Sequence, residues 1–241
     1  MSKTIFLSVI IPAFNEEKRL TQTLAKTVDY LNKQNYTWEI LVISDGSTDQ
    51  TVKAVSEPSL NGVKVIDNKV NHGKGYVVRQ AMLAASGEYR LFMDADNSTK
   101  IQEIEKFWPK TKEGFEVIIG SRHTTGSNIR VEQLWYRQIL GRLGNWLTQI
   151  LLLWGIEDTQ CGFKLFSRKA TETVFKYQTI SGWGFDMEIL LIAKLHKFKI
   201  IDAPVNWYNE GESKFRSLSG YFSTLIELFK IRINAWQGKY K

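Results

Sequence analysis

Asp94 and Asp96 stand i and i+2 immediately after the apolar run Leu91-Phe92-Met93. If the strand pattern continues through them, alternation sends both carboxylates to the same side. Two hard oxygen donors at the mouth of a strand suit Mg²⁺ or Mn²⁺, which commonly take one or two carboxylates plus substrate phosphates. The same tripeptide can also simply end a strand and cap the next helix, and taken alone it favours that plainer reading. The decision rests on where the other acids of the chain fall.

The elements that must position this pair read as alternating strands and helices. Ile5 to Ile11 is a near-continuous apolar run, as in a strand buried on both faces, and Pro12 is expected to stop it. Asn15 is a candidate N-cap for a helix with Leu20, Leu24, Val28 and Leu31 at helical spacing. A strand over Glu39 to Ile43 ends at Ser44-Asp45-Gly46-Ser47, with Ser47 or Thr48 expected to cap the next helix. Val63 to Ile66 is a shorter strand. Asn71-His72-Gly73-Lys74-Gly75 is a glycine-rich turn into a helix through Ala85, and after Ser86-Gly87 comes the strand that leads to Asp94.

Such alternation predicts βαβ crossovers and a mostly parallel sheet, whose ligands bind beyond the carboxyl ends of the strands. Asn15-Glu16, Asp45, and Asp94 with Asp96 all fall at those ends. A core alone would not place acids at successive strand ends. The convergence turns the Asp94/Asp96 reading towards a site.

The second half is less regular. Glu116 to Ile119 reads as a strand closing in Gly120-Ser121-Arg122, followed by the polar loop His123 to Arg130 and a basic, aromatic helix with Trp135, Tyr136, Arg137 and Arg142. Asp158 to Lys164 interrupts the helices, with a possible strand through Phe166. A helix is expected from Asp186 to Leu195, a strand near Val205-Asn206-Trp207, and an amphipathic helix over Phe215 to Trp236. No repeat, low-complexity tract or linker divides the chain, so a single domain over residues 1–241 is expected.

With 241 residues, 43% of them hydrophobic, the chain can bury the core of one large α/β domain. Its 32 basic against 25 acidic residues give a net charge of +7, suited to phosphate-bearing substrates, an anionic membrane surface or nucleic acid. Strand-end acids argue against nucleic acid, because they repel phosphate unless a cation intervenes. Cys161 is the only cysteine, which excludes an internal disulfide and a cysteine-cluster metal site. His72, His123 and His196 show no metal-ligand spacing. Met1 to Thr4 is short and polar, so no signal peptide is expected, and the apolar segment Trp146 to Ile156 is too short to span a membrane.

Val9-Ile10-Ile11-Pro12-Ala13-Phe14-Asn15-Glu16, Asp45-Gly46-Ser47-Thr48-Asp49 and Asp94-Ala95-Asp96, in this order and spacing, resemble glycosyltransferase family 2. Over nearly its whole length the chain is similar to the dolichyl-phosphate β-glucosyltransferases within that family. That likeness is carried by Asn71 to Gly75, Gly120-Ser121-Arg122, Asp158 to Phe166, Phe185-Asp186-Met187-Glu188, Val205-Asn206-Trp207 and Gly211-Glu212-Ser213-Lys214. Polyprenyl-phosphate mannose synthases share the first half but usually differ over Asp158 to Phe166.

The resemblance implies a GT-A, Rossmann-like fold, with a nucleotide-sugar half over about residues 1–120 and an acceptor half over about 121–241. It implies an inverting, metal-dependent transfer of glucose from UDP-glucose to a polyprenyl (dolichyl-type) phosphate, with another donor or acceptor on the same fold (mannose or N-acetylhexosamine to polyprenyl phosphate, or polysaccharide synthesis) as the alternative. Pro12, Phe14, Glu16 and Asp45 would bind the nucleoside, Phe14 by stacking. Asp94 and Asp96 would hold the nucleotide end and the metal, with Asp96 the first choice for Mg²⁺ or Mn²⁺, and Asn97 or Ser98 as an added ligand. Lys74 between two glycines reads equally as a phosphate contact and as a solvated turn lysine.

The acceptor, a phosphate monoester, is already an anionic nucleophile and needs positioning by cations more than a general base. Arg122, Arg137 and Lys214 are the candidates because each sits in a matching motif; Arg142 is a weaker one. Of Asp186 and Glu188, one could face sugar or acceptor while the other caps or pairs. The basic aromatic segments Trp135 to Trp154 and Tyr221 to Trp236 read either as an interfacial surface or as a core helix pair. The eukaryotic glucosyltransferases carry an N-terminal anchor, whereas here a strand begins almost at Met1. The expectation is therefore peripheral contact with the cytoplasmic face of a membrane.

Overall fold

A computed structural model describes residues 4–56, 60–129, 144, 146–208 and 218–241. Seven strands form one sheet in the order β3-β2-β1-β4-β7-β5-β8. They are β1 (Leu7–Ala13), β2 (Trp38–Asp45), β3 (Val63–Asn68), β4 (Tyr89–Met93), β5 (Val117–Ser121), β7 (Phe163–Ser167) and β8 (Ile200–Pro204). Only β7 runs against its neighbours, pairing antiparallel with both β4 and β5. The short strands β6 (Asn128–Ile129) and β9 (Asn206–Trp207) pair separately. From β1 the chain winds outward through β2 and β3, then returns to place β4 on the other side of β1. That reversal opens a crevice at the carboxyl ends of β1 and β4.

Period-two alternation divides the apolar strand residues between two cores. Val9 and Ile11 join Leu91, Met93, Phe163 and Leu165 on one face, under α1 (Leu20–Asn32) and the 3₁₀ turn Ile101–Lys106. Ile10, Leu41, Phe92 and Phe166 face the other way. There they meet α3 (Lys74–Ala84), α5 (Arg168–Tyr177), α6 (Phe185–Leu195) and α7 (Leu218–Trp236). Two further short helices are α2 (Thr51–Ser56) and α4 (Trp108–Lys112).

Several local expectations are corrected. Pro12 does not stop β1 but pairs with Ile43 of β2. The pairing of β1 with β4 ends at Ile10, so beyond it the edge facing β4 needs no ladder donor, and proline's missing N–H is tolerated. Asn15 does not cap α1, whose N-cap is Arg19 without a side-chain cap. Instead Asn15 takes φ 53° and its side chain accepts from the Thr48 amide at 2.8 Å. Asp49, not Ser47 or Thr48, accepts from Thr51 N–H at the start of α2, at 2.9 Å. Helix α5, which the sequence pattern did not announce, starts at a real cap: Ser167 Oγ accepts from Ala170 N–H at 3.2 Å. Asp94-Ala95-Asp96 lies in a turn past the end of β4, so strand alternation does not govern its side chains.

Candidate active site

The carboxyl ends of the parallel strands, and the opposite end of antiparallel β7, bring the chemistry-bearing residues to one edge of the sheet. Asp94 is anchored there by its own N–H, which donates to Gly162 O at 3.0 Å where β4 meets β7. Gly162 packs directly against the Asp94 carboxylate: a Cβ built on it would stand 1.9 Å from Oδ2. Lys74, the first residue of α3, reaches Asp94 Oδ1 with Nζ at 2.7 Å. The same ammonium lies 5.3 Å from the Phe92 ring centre and 5.0 Å from that of Trp183. Burial pulls the Lys74 ammonium down, but Asp94 and Asp186 more than offset this and hold it above the ordinary lysine value.

The glycines flanking Lys74 turn their missing side chains towards the protein's own backbone. A Cβ on Gly73 would stand 2.5 Å from Ser181 O, and one on Gly75 would stand 2.5 Å from Ile180 O. They make room for the protein's own backbone at 180–182, against which the first turn of α3 packs. Gly73 also adopts φ 98°, a conformation that disfavours other residues.

Asp96 is half-buried, and its Oδ1 accepts from Ser98 N–H at 2.9 Å. Burial first, and then the neighbouring Asp94 charge, push its carboxyl above the ordinary aspartate value. Among the described residues, no three His, Cys, Asp or Glu side chains converge on one point. The donor set at this edge is therefore two adjacent, mutually repelling carboxylates. That set fits a hard dication whose other ligands come from a diphosphate and water. Asn97, at φ 57°, is buried with its Nδ2 unpartnered.

Behind this pair stands Lys164, a fully buried lysine that the sequence showed only as one residue of its motif. Its Nζ donates to Cys161 O at 2.6 Å and to Asp186 Oδ1. Charges thus alternate along Lys164, Asp186, Lys74 and Asp94. Burial holds the Asp186 carboxyl above the usual aspartate value, with Lys164 and Lys74 pulling the other way. A lysine inside the apolar strand Phe163-Lys164-Leu165-Phe166 was a readable signal, because a buried ammonium needs a partner. Glu188 is different. It is fully buried and accepts from Thr179 N–H, Thr179 Oγ1, Ile180 N–H and the Tyr240 hydroxyl, the pairing role left open for one acid of the two.

Arg122, just past β5, forms a two-pronged bond to Asp158: Nε to Oδ2 at 2.7 Å and Nη2 to Oδ1 at 2.9 Å, with its backbone N–H also donating to Oδ2. Burial opposes both charges, yet each stabilises the other, raising the Arg122 value and lowering that of Asp158. The guanidinium carbon lies 5.7 Å from the Trp207 ring centre. At the far side of the edge, Pro12 is buried while Phe14 is 38% exposed beyond the end of β1. The Glu16 carboxylate accepts from Arg19 Nε and Nη2. Asp45 accepts from His72 N–H at 2.7 Å and Gly73 N–H at 3.0 Å, so it also ties down the turn before Lys74. Ser98 O accepts from Tyr208 N–H at 2.8 Å. Arg137, Arg142 and Lys214 lie outside the described residues.

The profile of the family described as Glycosyl transferase family 2 matches residues 8–175. A dolichyl-phosphate beta-glucosyltransferase (ALG5D) of Trichomonas vaginalis is 37% identical over 96% of this chain and 76% of its own length. The human dolichyl-phosphate beta-glucosyltransferase is 33% identical over 100% of this chain and 79% of its own. Among solved structures, glucosyl-3-phosphoglycerate synthase from Mycobacterium tuberculosis, in complex with Mn²⁺, UDP-glucose and glycerol 3-phosphate, superposes with a TM-score of 0.71. It is 19% identical over 95% of this chain and 80% of that one, a likeness of fold that agrees with the expected GT-A architecture. The matched residues run from β1 through the Asp94/Asp96 turn and β7 into α5, and the relatives align across almost the entire chain, so this chain belongs to glycosyl transferase family 2.

Proposed function

We propose that the chain is an inverting hexosyltransferase that moves glucose from UDP-glucose to a polyprenyl (dolichyl-type) phosphate. The observation that carries this reading is the similarity, over nearly the whole of this chain, to dolichyl-phosphate beta-glucosyltransferases from several eukaryotes. The geometry of the strand-end edge supports it.

In this reading residues 1–120 bind the nucleotide sugar and residues 121–241 form the acceptor side. Phe14 offers an exposed ring for the base, Pro12 shapes the floor beneath it, and Glu16 and Asp45 line the nucleoside end. Asp96, with Asp94, holds Mg²⁺ or Mn²⁺, which when bound neutralises charge on the leaving diphosphate. Lys74, held by Asp94 beneath Trp183, adds a fixed cation for the same charge, and Asp186 orients Lys74 from behind. Ser98 steadies Asp96 through its amide.

Arg122, oriented by Asp158 and Trp207, draws the acceptor phosphate to the anomeric carbon, with Arg137 and Lys214 as further cations of that side. An acceptor oxygen forms the bond to C1 as the bond from C1 to the UDP oxygen breaks on the opposite side, which inverts the centre. Electrostatic positioning of this kind needs no proton acceptor, because the phosphate oxygen is already ionised.

No helix among the described residues is long and apolar enough to cross a membrane. Yet α7 exposes Phe222, Leu225, Ile226, Phe229, Ile233 and Trp236 in a row at helical spacing, with Trp236 73% exposed. Trp146, Ile150 and Trp154 are exposed as well, and Lys230, Arg232, Lys239 and Lys241 accompany them. An apolar row with basic neighbours suits the headgroup level of an anionic membrane, where a polyprenyl phosphate resides. We read it as a peripheral contact on the cytoplasmic face.

The test is transfer of radiolabelled glucose from UDP-glucose to a short polyprenyl phosphate, with and without EDTA. Labelled lipid that forms only with metal is expected. UDP-glucose binding without lipid product would overturn the acceptor, and product from GDP-mannose alone would overturn the donor.

A further inference from the structure

We propose that Glu227 is a positioning residue: from the helix that bears the exposed apolar row, it fixes the 181–184 segment and thereby the placement of Lys74 and Asp186. The proposal rests on the proposed function only in that Lys74 and Asp186 belong to the site.

The 181–184 segment is held on two sides. On the first, Ser181 O accepts from Gly75 N–H at 2.7 Å and Tyr76 N–H at 3.4 Å, so the opening turn of α3, with Lys74, is bonded to it, in addition to the bonds from His72 and Gly73 to Asp45 and from Gln178 to Gly75 O. On the second, Glu227 Oε2 accepts from Gly184 N–H at 2.7 Å. Gly184 is the N-cap of α6 and has no side-chain cap; Glu227, from a different helix, accepts from the N-cap's own N–H. Between the two anchors Trp183 lies against the Lys74 ammonium, and immediately after them α6 begins with Phe185 and Asp186.

The approach of Glu227 depends on glycine at both contact points. A Cβ on Gly182 would stand 2.2 Å from Glu227 Oε1, and one on Gly184 would stand 2.8 Å from both Cβ and Oε2 of Glu227. Burial holds this half-buried carboxyl above the ordinary glutamate value, and the Gly184 N–H it accepts from offsets part of that cost. Its neighbours Ile226 and Phe229 belong to the exposed row, whereas Leu228 is buried in the core. Any shift of α7 caused by burial of that row therefore reaches Lys74 through one hydrogen bond and one short loop.

Amide hydrogen exchange on the full chain tests this, comparing wild type with Glu227→Ala and Glu227→Gln. Glu227→Ala is expected to raise exchange about tenfold over residues 179–187 and also over 72–78, which Glu227 does not touch. Glu227→Gln, whose amide oxygen still accepts from Gly184 N–H, is expected to restore protection in both stretches. Unchanged exchange over 72–78 in Glu227→Ala, or a Gln variant indistinguishable from Ala, would overturn the proposal. Should Glu227→Ala lose protection in β1 and β2 as well, Gly182→Ala replaces it, since its methyl displaces the same carboxylate. It must then loosen 72–78 with β1 and β2 intact, and failure to do so overturns the proposal. A wild-type protein that transfers no glucose yet shows this pattern would overturn the reaction and leave the coupling standing. Glucose transfer without the pattern would do the reverse.

Discussion

Gly162→Ala isolates the Asp94 carboxylate from the rest of the fold. Gly162 does not occupy the left-handed region, so alanine fits its backbone, and the clash is with a side-chain end rather than with backbone. Ordinary contact begins near 3.4 Å, and the new methyl would stand 1.9 Å from Oδ2, so the carboxylate must retreat by about 1.5 Å. That retreat breaks the 2.7 Å pair with Lys74. Misplacing a reacting group by about 1 Å can cost roughly 10²-fold in rate, or about 2.7 kcal/mol. The stability cost is smaller, because the side chains of Lys74 and Asp94 are 18% and 33% exposed and water screens the pair. It should be at most about 1 kcal/mol, a fall in Tm of no more than about 4 °C. Initial rates of glucose transfer, read beside a thermal melt, give both numbers. Wild-type rates at wild-type Tm would refute the argument that the rate depends on where Asp94 is held. A Tm loss above about 10 °C would refute the argument that the carboxylate, and not the sheet, gives way.

Asp96→Asn should abolish measurable transfer yet raise Tm by about 1–2 °C, because burial and the Asp94 charge both disfavour its carboxylate in the folded protein. Mn²⁺ should raise the wild-type Tm, EDTA should reverse the rise, and the variant should ignore both; a variant that responds like wild type refutes the metal assignment. Glu188→Gln replaces an acceptor of four donated hydrogen bonds by a group that also donates, and should cost about 2–3 kcal/mol in urea unfolding. Its transfer rate per folded molecule should stay within about twofold, and a selective rate loss would return Glu188 to the substrate side. Asp158 is held below its ordinary value of 3.8 by Arg122, so its contribution is complete above that pH and is lost as pH falls through the lower folded value. Urea midpoints measured from pH 6 down to about pH 2.5 should therefore fall less steeply for Asp158→Asn than for wild type, and parallel curves would sink the assignment.

The mostly parallel sheet and the edge at which its acids gather were legible in the sequence, because both derive from periodicity and chain order. The apolar runs at β1, β2 and β4, with helical spacing between them, leave little choice of topology, and strand-end acids then converge whatever the details of packing. What each acid does depends on packing between distant segments. Asp186 and Glu188 are two residues apart on one helix, yet one faces Lys164 and the other the amides of Thr179 and Ile180. No local pattern encodes a partner that is distant along the chain. The glycines around Lys74 make the same point: what their missing side chains admit is the backbone at 180–182, which the local sequence does not name. Whether α7 was core or surface was equally undecided, since an amphipathic pattern specifies that one face is apolar without specifying what covers it. The fold packs Leu228 and Ile231 into the core and leaves the row from Phe222 to Trp236 open, a choice that depends on which elements arrive from elsewhere in the chain.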